Sequence, residues 1–445
     1  MKTWKDYLDL SWETALDLGL KPKVTRFDEV PQEVIHRIAA LGAPIAPPHW
    51  SRGRDTMRYR AEWEARRGQI MEIVFDMGTY AMAYISTAQG QATATLTVPH
   101  VLGHSHVFAR NAHQLRRPED LYALLEAGAR RVAEYEARYG PEEVSRLITV
   151  AIALSDLVEA GEPEPPPPPE PPAEDPFAPV PGHPGYLTPG ERAYTARVQG
   201  AAASRGQGEG DILRHLIRHS PVLEDWQRDV LEVERGLALA RKRSGITKFL
   251  HEGFASWAHS RALRRMAPKL PREWILEMAR AHAAVLYPSL SNPYWLGYAA
   301  LSFLEEFEGR ERMFAHVERL TDAALFAMVA EEPYWPEFGR YLLGMVDEEP
   351  GPEERGEVLG EIARYLKEVA AHFLARPPRV RVAAGGRGKT IAYKYGEEGL
   401  PTLYLEALDP VDPVYAKRVL EEMQPLWGGT VWLSAAYEPL EEVEA

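Results

Sequence analysis

The chain has 445 residues, 65 acidic against 51 basic, a formal net charge of −14 and no cysteine. That length admits two or three domains with well-buried cores. The acidic balance argues against nonspecific nucleic-acid binding, which needs a basic field, and the lack of cysteine excludes disulfides, CxxC zinc sites and thiol nucleophiles together.

Residues 1–62 read as helices joined by a loop. Trp4, Leu8, Trp12 and Leu16 recur at helical spacing, and Val34, Ile35, Ile38 and Leu41 form a second apolar face. His49-Trp50-Ser51 with Arg52 and Arg54 has loop character after two prolines, and reads as a structural Trp anchor with solvated arginines or as an anion-holding pair. The runs 69–75 and 80–85 alternate as strands, with Gly78 between them. Thr93 to Val98 reads as a strand or a helix start, and Pro99 suits a first helical turn just ahead of His100. Two further helices are expected over roughly 117–139 and 141–160, each opened by a Pro-Glu pair.

Near-continuous Pro and Glu follow from Gly161, and five consecutive prolines favour an exposed polyproline segment. From about Pro189 to Ala375 the apolar spacing is helical, including 211–219, 221–241, 247–266, 272–286, 296–306 and a single helix over 311–329. After Pro377-Pro378 the pattern changes to strands near 379–383, 390–395, 401–405 and 430–435 around a helix over 414–424, an α+β module. The expected organisation is an N-terminal α+β part over 1–160, a linker or inserted loop over 161–189, a helical part over 190–376 and the module over 377–445. The fold class is α+β, mainly α-helical, with a small N-terminal sheet. The N-terminus has no apolar signal-like stretch and no run of about 18 apolar residues occurs, so a cytoplasmic protein without a membrane span is expected.

The sharpest chemical signal is His100-Val101-Leu102-Gly103-His104. On a helix, positions i and i+4 share one face about a turn apart, which suits two imidazole ligands to one zinc ion. His259 follows Glu252 by seven residues, two helical turns on the same face. It could be a further ligand, a proton donor or a partner to a ligand. His251 points about 100° away from Glu252 on a helix, and His106 lies off the face of His104.

These stretches resemble gluzincin metallopeptidases. His-X-X-Gly-His pairs with Glu252-Gly253-Phe254-Ala255, the surroundings of the third gluzincin ligand. The resemblance implies that His100, His104 and Glu252 bind a divalent metal, expected to be Zn2+, in a degenerate zincin-like fold. One part is absent: Val101 stands where gluzincins place a general-base Glu. Glu234, His106 and His259 are candidate replacements, with Glu72 and Asp76 as comparable candidates. Five ordered motifs extend the likeness: Pro48 to Arg54, His100 to Asn111, Leu223 to Asp229, Thr247 to His259 and Asn292 to Gly297. In that order they resemble the SpoVR family, the stage V sporulation protein R-like proteins. The resemblance implies a bacterial protein linked to spore cortex formation or stress response.

Gly385-Gly386-Arg387-Gly388-Lys389-Thr390 imitates a P-loop, but Ala383 holds the first Gly position and a strand pattern follows, so a hairpin turn is expected. Two functions remain open. One is a metal-dependent hydrolase of peptide or amide bonds, with a peptidoglycan-precursor substrate. The other is a non-catalytic regulatory or scaffold protein that binds protein partners through the Pro-rich loop or the C-terminal module, its metal site structural.

Overall fold

The computed structural model describes residues 2–41, 46–64, 71–115, 121–158, 211–345, 351, 354–374, 380–382, 403–407, 412–435 and 443–444. Helices dominate it, with a three-stranded sheet near the N-terminus and a four-stranded sheet near the C-terminus. This is the α+β, mainly helical class expected. Two compact units are formed, one from Met1–Ala137 with Ala240–Arg376, the other from Arg138–Leu239 with Pro377–Ala445. The segments 1–160 and 190–376 therefore each contribute to both units.

The first unit opens with a 3-10 turn over Trp4–Tyr7 and helix α1 over Leu8–Asp17. The chain then forms strand β1, Val24–Val30, where only helices and a loop were expected. Arg26, Asp28 and Glu29 hide its apolar alternation, as suits a charged edge strand. It pairs parallel to β3, Tyr80–Ser86, which in turn pairs antiparallel with β2, Glu72–Asp76. Gly78, at φ 88°, turns the β2–β3 hairpin as its position suggested. Helices α2 (Gln32–Leu41) and α3 (Trp50–Glu64) lie between β1 and β2 in sequence. Trp50 is 59% exposed and so is not an anchor, whereas Arg52 is buried and donates to the Pro47 carbonyl.

Helix α4 runs from Gln91 to Arg110. Pro99 lies inside it rather than in its first turn. The Thr run that imitates a strand is accommodated because Thr95 and Thr97 donate their hydroxyls to the carbonyls of Gln91 and Thr93, at 2.8 and 3.0 Å. Most of α4 is buried around its whole circumference, which marks a central helix rather than an amphipathic surface one. Helices α5 (Leu121–Tyr139), α6 (Pro141–Ala153), α7 (Ile212–His219) and α8 (Asp225–Gly245) follow.

Helix α9 (Lys248–Met266) then packs on α4 and on α11 (Pro293–Glu308), with α10 (Arg272–Val285) also against α4. Asn292 caps α11, its side chain accepting the Tyr294 N–H at 3.0 Å. The helix expected over 311–329 is two: α12, Arg310–Arg319, and α13, Asp322–Val329. Leu320 is extended, and the Thr321 side chain caps the second helix. Helices α14 (Glu337–Leu343) and α15 (Arg355–Leu374) complete this unit. Trp4, Leu102, Phe254, Trp257, Leu296 and Phe326 belong to its core.

In the second unit, β4 (Val380–Val382), β5 (Leu403–Ala407), β6 (Val431–Ala435) and β7 (Val443–Glu444) form a sheet in that order, β5 and β6 parallel. Helix α16, Pro413–Trp427, packs on β6. The Pro-rich stretch, the glycine-rich turn at 385–390 and the strand expected over 390–395 lie outside the described residues.

Candidate metal centre

Close helix crossings create the site. A Cβ on Gly103 would stand 2.6 Å from the Ala255 Cα, so α4 and α9 touch backbone to backbone there. Gly253 and Gly297 make the corresponding crossing of α9 with α11. Glycine is needed at each point because any side chain would force the helices apart. The glycine of the His-X-X-Gly-His motif and that of the Glu-Gly-Phe-Ala motif thus have one role: they let two ligand-bearing helices approach. Asp322 anchors the start of α9, accepting the Phe249 and Leu250 N–H groups at 2.9 and 2.8 Å. Burial is the main cause that raises its carboxyl to about 7.

The crossings bring His100, His104 and Glu252 together, a group whose donor atoms all lie within 4.8 Å of one another and could hold a metal ion. His100 Nε2 is 3.1 Å from His104 Nε2, and the Glu252 Oε2 lies 3.7 Å from the first and 3.5 Å from the second. Zinc bonds of about 2.0–2.1 Å at tetrahedral angles separate donors by about 3.3–3.4 Å. The three side chains therefore already have the spacing of ligands around one ion, although Glu252 follows His104 by 252 − 104 = 148 residues.

Charge points the same way. Glu72, at the start of β2, places Oε1 3.5 Å from His100 Nε2. Both glutamate side chains are only 18% exposed, and among the described residues neither meets a lysine or arginine. Burial and the neighbouring Glu252 charge raise the Glu72 carboxyl against the pull of His100. Burial also pushes Glu252 upward, but hydrogen bonds from His100 and His104 outweigh it and hold that carboxyl below the usual range. Two buried carboxylates met by imidazoles and a phenol, with no lysine or arginine among the described residues, are costly without a cation. A divalent ion fits this donor set.

Tyr294, at the start of α11, stacks near His100 with ring centroids 6.2 Å apart. The Glu252 charge, burial and Glu72 raise its phenol well above 10, so it stays a hydrogen-bond donor beside the carboxylates. A cavity of about 480 Å3 opens on this cluster, lined among others by Glu72, Thr97, His100, His259, His282 and Tyr294.

The remaining expected residues have other placements. His259 is not in the three-donor group; its Nδ1 meets the Nδ1 of His100 at 3.0 Å, on the ring edge opposite Nε2. Glu234 is buried rather than a solvated helix-surface glutamate, and it belongs to the second unit. Asp76 is held by Lys23 at 2.7 Å and by the Gly78 N–H, a structural arrangement. His251 does approach the cluster, its Nδ1 lying 3.2 Å from the Nδ1 of His104. Sequence reasoning gave no role to Tyr294, although it lies in the Asn292 to Gly297 motif, or to His282, which carries no local signal.

His106 is a core histidine, not a surface one. Its ring packs against Phe254 and Phe314, and its Nδ1 accepts the Lys21 N–H at 2.8 Å. Burial is the main reason its imidazole falls to about 3. It therefore stays neutral in the fold at pH values where the unfolded chain binds a proton. Its contribution is fully present above about pH 6.5 and is lost as pH falls toward 3, by about 1.4 kcal/mol per pH unit. His106→Phe is expected to flatten the acid side of the stability profile by about one proton, measured by urea unfolding at pH 7 and 5. An unchanged slope would show that His106 does not titrate on unfolding.

A family model described as SpoVR like protein matches residues 1–332. Over 339 residues the chain is 22% identical to the uncharacterized protein YcgB of Escherichia coli (strain K12), an overlap of 70% of this chain and 63% of that protein. The chain thus spans less than two thirds of that relative's length. No solved structure matches it.

Proposed function

The chain belongs to the SpoVR family, and from that premise we propose that it is a divalent-metal hydrolase of peptide or amide bonds in peptidoglycan-related substrates, with Zn2+ held by His100, His104 and Glu252. The observation that carries this reading is the ligand-like spacing of three donors from two helices, 3.1 to 3.7 Å apart. When bound, the ion would act as a Lewis acid on the carbonyl of the scissile bond. The link to spore cortex formation or stress response comes with the family resemblance.

The residues around the donors support hydrolysis despite Val101, which is fully buried and cannot accept a proton. Glu72 reaches the same place from β2 and lines the cavity, so its carboxylate can take the proton that an attacking water gives up and return it to the leaving amine. Tyr294 can donate to the oxygen on which charge develops. Glu72 is therefore favoured as the base over Glu234, His106 and His259. Among the described residues no helix is long and apolar enough to cross a membrane.

Metal analysis of the purified full chain tests the reading. One divalent ion per chain is expected; none after equilibration with zinc removes it. Glu72→Gln is expected to keep the metal while lowering amide hydrolysis by about 100-fold or more, within the range of general acid–base catalysis. The scaffold alternative is favoured by Val101 alone. It predicts bound metal with no turnover of peptidoglycan-derived peptides by wild type or variant.

A further inference from the structure

We infer that His259 and His282 are positioning residues, a relay of imidazoles with locked tautomers that orients His100 toward the ion and ends at the cavity wall. The inference rests on the reading of His100 and His104 as ligands. Its basis is a row of ring contacts: His100 Nδ1 to His259 Nδ1 at 3.0 Å, then His259 Nε2 to His282 Nδ1 at 2.8 Å.

A neutral imidazole has one N–H and one lone pair. If His100 gives the lone pair of Nε2 to the ion, its proton sits on Nδ1. That N–H donates to His259 Nδ1, which must then be the unprotonated nitrogen of its ring. His259 consequently carries its proton on Nε2 and donates to His282 Nδ1. His282 is left with its own proton on Nε2. Each tautomer follows from the one before, so the direction of the whole row is set at the ligand. The same logic makes His104 Nδ1 donate to His251 Nδ1.

The elements are independent: His100 lies on α4, His259 on α9 and His282 on α10, so one row of hydrogen bonds ties three helices to the ligand. Ligand histidines usually donate to a carboxylate or carbonyl, which makes the ring more basic. The Ala255 carbonyl also accepts a hydrogen bond from the His100 ring, so His259 fixes that imidazole together with the carbonyl. Both His259 and His282 line the cavity, so the row joins the ligand to the space where substrate would sit.

Two variants of the full chain separate orientation from packing. His259→Phe fills the space but can neither accept nor donate. His259→Asn keeps a side-chain oxygen able to accept from His100 and gives up the bond to His282. Zinc affinity, read by competition with a chromophoric chelator, is expected to fall about 10–100-fold in His259→Phe and to recover to within about threefold of wild type in His259→Asn. In the zinc-loaded wild type, 15N spectra of the histidine rings should show Nδ1–H for His100 and Nε2–H for His259 and His282. That spectrum decides the matter even if His259→Phe does not fold. Zinc binding that survives His259→Phe unchanged, or an Nδ1–H tautomer at His259, overturns the relay alone. Wild-type protein that takes no zinc overturns the metal reading and the relay with it.

Discussion

Glu252→Gln is expected to lower divalent-metal affinity by at least about 100-fold, more than the 10–100-fold typical of partners that only support a ligand. The amide keeps the size of the carboxylate but removes its charge, and Glu252 is the one acidic member of the three-donor group. Two neutral imidazoles would then face a doubly charged ion in a buried site, with Glu72 beside only one of them. The loss has a thermodynamic counterpart. A ligand at 100 times its dissociation constant stabilises the folded state by about 2.7 kcal/mol. Zinc should therefore raise the melting temperature of the wild type and do so far less for Glu252→Gln. Isothermal titration and melting curves with and without zinc check both. Equal stabilisation of the two proteins would place the ion elsewhere.

The second large effect is expected at the helix crossings. Gly297→Val should cost about 3 kcal/mol or more, beyond the usual overpacking range, because the added atoms meet the Phe249 carbonyl and the Gly253 backbone rather than a movable side chain. Backbone cannot rotate away, so α9 and α11 must separate. Gly103→Ala acts one crossing away, against the Ala255 Cα at 2.6 Å. There the displaced element is α4 itself, so zinc affinity should fall together with stability. Gly53→Ala is the control. Nothing lies within 4 Å of a Cβ at that helical position, and alanine should stabilise by up to about 1 kcal/mol. Denaturant midpoints for the three variants give the test; a Gly297→Val protein as stable as wild type would mean that the helices are not in backbone contact.

Features that depend on neighbours along the chain were legible in the sequence. His100 and His104 lie on one helix face because a helix repeats every 3.6 residues, and most helices of the first unit appear near their expected places for the same reason. Val101 was legible as a departure because the motif around it is local. Thr93 to Val98 was ambiguous, since β-branched residues suit strands until their hydroxyls find carbonyls four residues back. Strand β1 was hidden because an edge strand needs little apolar alternation. Tertiary structure alone decided the rest. The 3.5 Å approach of Glu72 to His100, the contacts of His259 with His100 and His282, and the place of Tyr294 all arise where separate elements meet. The meetings among α4, α9 and α11 depend on glycines whose missing side chains let those helices touch. A glycine in a sequence does not say which backbone will fill the space it leaves.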